Sequence, residues 1–302
     1  MAKRQILAVG SVALDSVKTP FGEVRDALGG SATFFSASAR FFSPVSIVAV
    51  VGMDFPQKHL SLIKKLGVGT NDLQKVPGKT FRWKGRYDYD LNNAQTLRTD
   101  LNVFQSFRPV ISKENRKSPF VFLANIDPEI QRSVLDQVDD PLLTACDTMN
   151  YWIQNKKQSL VQLLKKVDIF LCNDSEARQL SGEFNLVQCA RWILSHGPKL
   201  LVIKKGEHGV ICFTKKFIFM APAYLLESVF DPTGAGDTFA GGFIGYLTCS
   251  PRLEESVVRR AVIYGSVLAS YNVESFSLER LVRLKMGEVE TRFKRFKRMT
   301  SF

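Results

Sequence analysis

Asp231-Pro232-Thr233-Gly234-Ala235-Gly236-Asp237-Thr238-Phe239-Ala240-Gly241-Gly242-Phe243 is a glycine-rich turn that runs without a break into an apolar helical stretch. Such a turn sets successive backbone N–H groups at the start of a helix. Their unpaired donors and the positive end of the dipole form an anion site without any basic side chain. Glycines admit a phosphate at close range, and the small Ala240, Gly241 and Gly242 let the helix lie tightly on a sheet. Asp237 falls in the first turn, where it either takes a proton from an attacking hydroxyl or simply caps the helix.

Working outward, short apolar runs alternate with longer helical patterns. The strand candidates are Ile6–Val9, Val45–Val51, Phe120–Leu123, Ile169–Cys172, Leu200–Ile203 and Val210–Phe213. Helical spacing marks Ala32–Phe42, Gln57–Leu66, Lys156–Lys166, Leu186–Ser195, Ala235–Leu247 and Glu254–Tyr271, with a basic helix over Leu278–Arg298. Near-continuous apolar strands between helices predict a doubly wound α/β fold, its mostly parallel sheet covered on both faces. Nothing marks a linker or repeat, so residues 1–302 are expected to form a single domain.

Two stretches break the rhythm, roughly 15–28 and 70–108. The second alternates over Thr80-Phe81-Arg82-Trp83-Lys84-Gly85-Arg86-Tyr87, which predicts a small, half-exposed antiparallel piece inserted into the main domain. Near the carboxyl ends of the strands it would be a lid that excludes water; otherwise it is a surface excursion.

With 45% hydrophobic and 23% charged residues, the 302-residue chain is no disordered tail or collagen-like fibre. Forty-one Lys and Arg against 29 Asp and Glu leave a net charge of +12, which favours anionic partners: nucleotides, sugar phosphates, nucleic acid or anionic membrane. Five scattered cysteines without C-x-x-C spacing point to reduced thiols in a cytoplasmic protein. Lys3-Arg4 before Ile6–Leu14 imitates a signal peptide, but Gly10, Ser11 and Asp15 interrupt it, and no small-x-small cleavage site follows. No apolar run approaches the roughly 18 residues of a membrane span, so no membrane partner is expected.

Two motifs are decoys. Gly78-Lys79-Thr80 ends like a phosphate-binding Walker loop, but its first glycine would be Leu73. Gly234-Ala235-Gly236 begins a dinucleotide fingerprint whose third glycine would be Phe239, so hydride chemistry has no support.

The 231–237 segment resembles the D-T-x-G-A-G-D signature of the ribokinase-like (PfkB) carbohydrate kinases, with Pro232 replacing the commoner Thr. Asn173-Asp174-Ser175-Glu176 is similar to the family's N-x-x-E motif, and Lys204-Lys205-Gly206-Glu207-His208-Gly209 to its nucleotide loop. Gly10-Ser11-Val12-Ala13-Leu14-Asp15 and Gly29-Gly30-Ser31-Ala32 match its substrate-site aspartate and di-glycine, and Val51-Gly52-Met53-Asp54 its V-G-x-D turn. The order is the family's along nearly the whole chain.

The resemblance implies transfer of the γ-phosphoryl group of ATP to a hydroxyl of a sugar or sugar derivative. A nucleoside kinase of the same fold is the nearest alternative. Asp237 would be the general base, and Gly234, Ala235 and Gly236 an anion hole for the transferring phosphoryl group. Asn173 and Glu176 would organise Mg2+ and phosphates through water, unless Glu176 is an ordinary first-turn carboxylate. Gly206 and Gly209 would line ATP, or only turn a hairpin, with Lys204 and Lys205 adding positive charge. Asp15 would hold acceptor hydroxyls, unless it is a plain turn residue, and Gly29-Gly30 would let the backbone approach the substrate and hinge the lid. A monovalent-cation requirement and a homodimer joined through the lid remain open.

Two positions depart from the family pattern. Phe34 stands where sugar kinases place an asparagine, and Trp152 where an arginine is expected after Asp147-Thr148-Met149-Asn150-Tyr151. Both either leave room for a substrate with a flat part, such as a nucleoside, or are core residues. A reading of another class is a non-catalytic nucleotide-binding regulator attached to nucleic acid through Lys294-Arg295-Phe296-Lys297-Arg298. Retention of Asp237 argues against it, and such a basic run is usually a solvated helix face.

Overall fold

The computed structural model describes residues 4–250 and 252–301; Lys3 lies outside them. Thirteen strands run in chain order: β1 Ile6–Val9, β2 Ala13–Thr19, β3 Gly22–Gly29, β4 Val45–Gly52, β5 Gly69–Val76, β6 Arg82–Tyr87, β7 Ala94–Asp100, β8 Phe120–Leu123, β9 Leu143–Asp147, β10 Ile169–Asn173, β11 Leu200–Lys204, β12 Val210–Thr214 and β13 Ile218–Ala221. Nine form one sheet in the order β13-β12-β11-β10-β9-β8-β1-β4-β5. Its pairs are parallel except at the β11–β12 and β12–β13 hairpins.

The apolar runs predicted as strands are its centre, and both faces are covered, as parallel strands require. On one face Phe35, Phe239, Phe243, Val258 and Val262 pack onto alternate strand positions such as Ile6, Phe122 and Ile169. On the other, Val134, Leu160, Leu164, Leu180 and Ile193 cover Leu7, Val121 and Phe170. Cys146, Cys172, Cys189 and Cys212 are buried free thiols, and Cys249 is exposed. Among the described residues no helix is long and apolar enough to cross a membrane.

The other four strands form a smaller sheet, β3-β2-β6-β7. Its boundaries correct the expectation for 70–108: Gly69–Val76 pairs in parallel with β4 as the polar edge of the main sheet. Val103 and Phe104, at the other end of that stretch, belong to the main core. The insert is not wholly antiparallel, since β2 and β6 run parallel between two antiparallel outer pairs. The expected C-terminal helix divides into Glu279–Arg283 and Met286–Thr300 because Leu284 is extended, with φ −66° and ψ 138°. Val289 and Phe296 of the last helix are buried, while Lys294, Arg295, Lys297 and Arg298 are exposed.

This connectivity fixes where a ligand can sit. After β1 the chain leaves for the small sheet and then fills β4 and β5 on one side. After a second visit to the small sheet it fills β8 onward on the other. The order therefore reverses at β1, and the crevice at the carboxyl ends of the strands lies beneath the small sheet.

Candidate active site

The helix Ala235–Leu247 begins directly after Gly234, whose φ of +75° is the left-handed region that favours glycine. The Ala235 N–H donates to Pro232 O at 3.1 Å and the ladder resumes with Thr238 N to Gly234 O at 2.8 Å. Between them, the Gly236 and Asp237 N–H groups have no backbone acceptor among the described residues. The Gly234 N–H likewise has no acceptor there, so of the trio read from the motif only Ala235 is spent, in closing the turn, and Asp237 joins Gly234 and Gly236 as a free donor.

Three neighbours hold the turn in shape. The Asp231 carboxylate accepts from Thr233 N at 2.9 Å and Ser277 N at 3.1 Å. Asn272, fully buried at the end of the helix Glu255–Asn272, donates Nδ2 to Thr233 O at 2.8 Å. The Phe34 ring lies so close to Gly234 that a Cβ there would sit 2.4 Å from its Cγ. Phe34 is therefore both a core residue and the floor of the turn.

Asp237 faces a buried ion pair. Lys204, at the end of β11, donates Nζ to Asp147 Oδ2 at 2.5 Å, with Asp147 at the end of β9. Strand β10 lies between them, and Asn173 is paired with Lys204 across the ladder, so three adjacent strand ends converge here. Asn173 and Glu176 cap the helix Asp174–Ser181 reciprocally: Asn173 N donates to Glu176 Oε2 and Glu176 N to Asn173 Oδ1, both at 2.7 Å. Glu176 is thus a first-turn carboxylate that also borders the cluster.

Charge is dense here. Burial raises the Asp237 carboxyl to about 7, with Asp147 adding to the rise and Lys204 opposing it. Burial likewise raises Glu176 to about 7 against the pull of Lys204. Burial works against the Lys204 ammonium, yet Asp147 and Glu176 hold it above the ordinary lysine range. Three carboxylates around one ammonium leave negative charge to be neutralised. No group of three or more acidic, His or Cys ligands among the described residues is arranged to grip a metal directly. That combination fits Mg2+, which keeps its waters and is shared with substrate phosphates.

The Gly206–His208 turn joins β11 to β12, and Gly206 and Gly209 have φ of +54° and +87°. Asn92, in the loop between β6 and β7, clasps this turn: its Nδ2 donates to Glu207 Oε1 at 2.8 Å and its Oδ1 accepts from Glu207 N at 3.2 Å.

Asp15 lies inside β2 of the small sheet rather than in a turn. Its Oδ2 accepts from Gly30 N at 3.3 Å, and a Cβ on Gly29 would collide with its carboxylate. Gly30, at φ +94°, links β3 to the helix Ser31–Ala39. Burial raises the Asp15 carboxyl to about 7; the Gly30 N–H opposes this, and the like charges of Asp231 and Asp237 add to it. Trp83 pairs with Asp15 across the β2–β6 ladder, its indole folded over Gly85, and Tyr87 at the end of β6 meets Thr233. Trp152 is half-buried, donating Nε1 to Asn125 Oδ1 at 3.1 Å just beyond β8.

The motif reading did not give Asp147 a role. It also missed Asp54 as the anchor of the small sheet: Asp54 Oδ1 accepts from Thr80 N and Oγ1, both at 2.7 Å, and Oδ2 from Arg82 at 2.8 Å. The decoy Gly78-Lys79-Thr80 is therefore the entry to the small sheet. A surface groove of about 560 Å3 beside the C-terminal helix, lined by Tyr224, Tyr271 and Arg292, holds none of these groups.

Among curated proteins, a cytidine kinase of Thermococcus kodakarensis is 28% identical over 257 residues, covering 83% of this chain and 91% of the relative. A nucleoside kinase of Burkholderia thailandensis in complex with inosine superposes with a TM-score of 0.80 at 19% identity, covering 96% of this chain and 98% of that one. The aminoimidazole riboside kinase of Salmonella enterica, complexed with aminoimidazole riboside and an ATP analogue, gives 0.74 at 15% identity, covering 96% and 99%. The profile of the pfkB family carbohydrate kinases matches residues 4–280. The chain belongs to that family, the ATP-dependent kinases that phosphorylate a hydroxyl of a sugar or nucleoside.

Proposed function

We propose that the acceptor is a ribonucleoside, phosphorylated by ATP with Mg2+. The observation that carries this reading is the register of β2 on β6, which stands the Asp15 carboxylate beside the Trp83 indole on one face of the small sheet. A paired carboxylate and aromatic ring suit a ligand with adjacent hydroxyls at one end and a flat ring at the other. The likeness to a cytidine kinase over 83% of the chain supports the same class.

The γ-phosphoryl group lies against the Gly236 and Asp237 N–H donors, where the helix start stabilises the charge that grows on its oxygens. Asp237 takes the proton of the attacking hydroxyl as its oxygen bonds phosphorus and the bond to the β-phosphate oxygen breaks. Lys204 keeps a cation close to that carboxylate. Glu176 and Asp147 would hold Mg2+ through its waters, and the ion would supply positive charge to the phosphates. The small sheet closes over the acceptor and keeps bulk water from taking its place.

A coupled ADP-release assay over a panel of nucleosides, pentoses and hexoses tests the choice. A nucleoside is expected to give the highest kcat/KM. A free sugar turned over at least tenfold more efficiently than every nucleoside would remove the nucleoside reading.

A further inference from the structure

Tyr87 is the one lid side chain whose hydroxyl enters the catalytic cluster in the described contacts. It ends β6, the residue is 8% exposed, and its oxygen lies 3.4 Å from Thr233 Oγ1, in the glycine-rich turn. A buried phenol ordinarily holds a partner at 2.5–3.0 Å. Here the contact is long and has Thr233 as donor, so it leaves the phenol's own proton uncommitted among the described residues. Asp15, Asp231 and Asp237 all act on this oxygen. Burial pushes the phenol up to about 12, so it remains an O–H donor throughout the working range.

The placement is dictated by the strand. Residues 83, 85 and 87 share one face of β6, the face in register with Asp15. Gly85 between them carries no side chain, and the Trp83 ring fills that space, so the indole and the phenol stand side by side. A donor aimed among carboxylates, with only a long contact to hold it, is suited to an oxygen that arrives with the substrate.

We propose that Tyr87 is a specificity-determining residue, whose phenol donates from the lid to one hydroxyl of the acceptor held between Asp15 and Asp237. This rests on the kinase reaction but not on the choice of nucleoside over sugar.

The test is Tyr87→Phe, which keeps the ring and removes only the oxygen. Steady-state kinetics are measured on cytidine, 2′-deoxycytidine and 3′-deoxycytidine, with ribose, 2-deoxyribose and 3-deoxyribose alongside, and thermal unfolding is recorded for both proteins. The variant is expected to raise the acceptor KM about tenfold. Its kcat, its KM for ATP and its unfolding temperature should stay close to wild type. The penalty should vanish on one deoxy analogue, the one that lacks the contacted hydroxyl. An equal penalty on every acceptor, a fall in kcat alone, or no change at all would each overturn the proposal. If cytidine is idle and ribose is phosphorylated, the nucleoside reading falls, while ribose compared with both 2-deoxyribose and 3-deoxyribose still decides the role of Tyr87.

Discussion

On the phosphate side of the cleft, the groups that would meet ATP hang from the main sheet or from a helix laid against it. Asp147, Asn173 and Lys204 are the last residues of three adjacent strands, and the phosphate turn is pinned by Asn272 and Asp231. On the acceptor side, Trp83 and Tyr87 hang from a four-stranded sheet whose outer strand β7 is exposed along most of its length. That sheet is joined to the body through Gly29-Gly30 and through the Asp54 anchor at Thr80 and Arg82. One side has backbone donors and buried, paired charges; the other is held by the Gly29-Gly30 link and a few contacts at Asp54. Substitutions on the phosphate side should therefore damage chemistry, and those on the small sheet should damage acceptor capture and coupling.

The largest effect is expected from Asp237→Asn. The amide keeps the shape and the helix-start position but cannot accept the proton, so kcat should fall by about 10²–10⁴. Affinity for ATP, measured by calorimetry, should change little. A variant that turns over at the wild-type rate would show that another group takes the proton.

The pH profile tests the same carboxylate without mutation. A general base at Asp237 would act only when deprotonated, and burial has raised this carboxyl to about 7. Activity should therefore rise with pH through about 7 and level off above it, whereas with an exposed carboxylate the same rise would be complete by about pH 5. Lys204 holds that value down, so Lys204→Met should displace the limb to higher pH. A profile flat between pH 5.5 and 8.5 would contradict the assignment.

This contrast also explains what was legible in the chain. The glycine-rich helix start at 231–237, the helix opening at Asn173 and Glu176, and the strands of near-continuous apolar residues are legible because each is a local pattern. Strand β9 was not: Leu143-Thr144-Ala145-Cys146-Asp147 is fully buried, yet Thr, Ala and Cys give a weak apolar signal. Strand β5 is polar because it is an edge, and polar spacing resembles a loop. The pairing of Lys204 with Asp147 spans 57 positions and has no local mark. The Asp54 anchor belonged to a recognised motif, but its partners Thr80 and Arg82 lie on an insert whose docking only the fold reveals.

On the lid, Trp83→Ala should act on capture rather than chemistry. The indole is half-buried, donates Nε1 to Thr96 Oγ1 at 3.2 Å, and covers Gly85. Its loss should raise the acceptor KM severalfold and increase ATP hydrolysis without acceptor, because an incompletely roofed site admits water. The unfolding temperature should fall only slightly, since the ring lies outside the main core clusters. Strong destabilisation with an unchanged acceptor KM would make Trp83 a structural residue and remove the lid role.

The smallest effect is expected where the lid meets the nucleotide turn. Asn92 makes a two-way contact with Glu207 and lies against Gly206. Both hydrogen bonds are exposed, so water competes for them and each contributes about 0.5–1.5 kcal/mol at most. Their position gives them leverage beyond their strength, because they join the element that covers the acceptor to the turn expected to carry ATP. Closing over one substrate should then favour the other, a coupling that is reciprocal by thermodynamic necessity. Binding of a non-hydrolysable ATP analogue, measured with and without saturating acceptor, reads that coupling directly. Asn92→Ala should reduce it by about two- to tenfold while leaving the affinity of each ligand alone nearly unchanged. If the coupling survives intact in the variant, closure of the lid is communicated through Tyr87 and Thr233 instead, and the Asn92 clasp is only a resting contact.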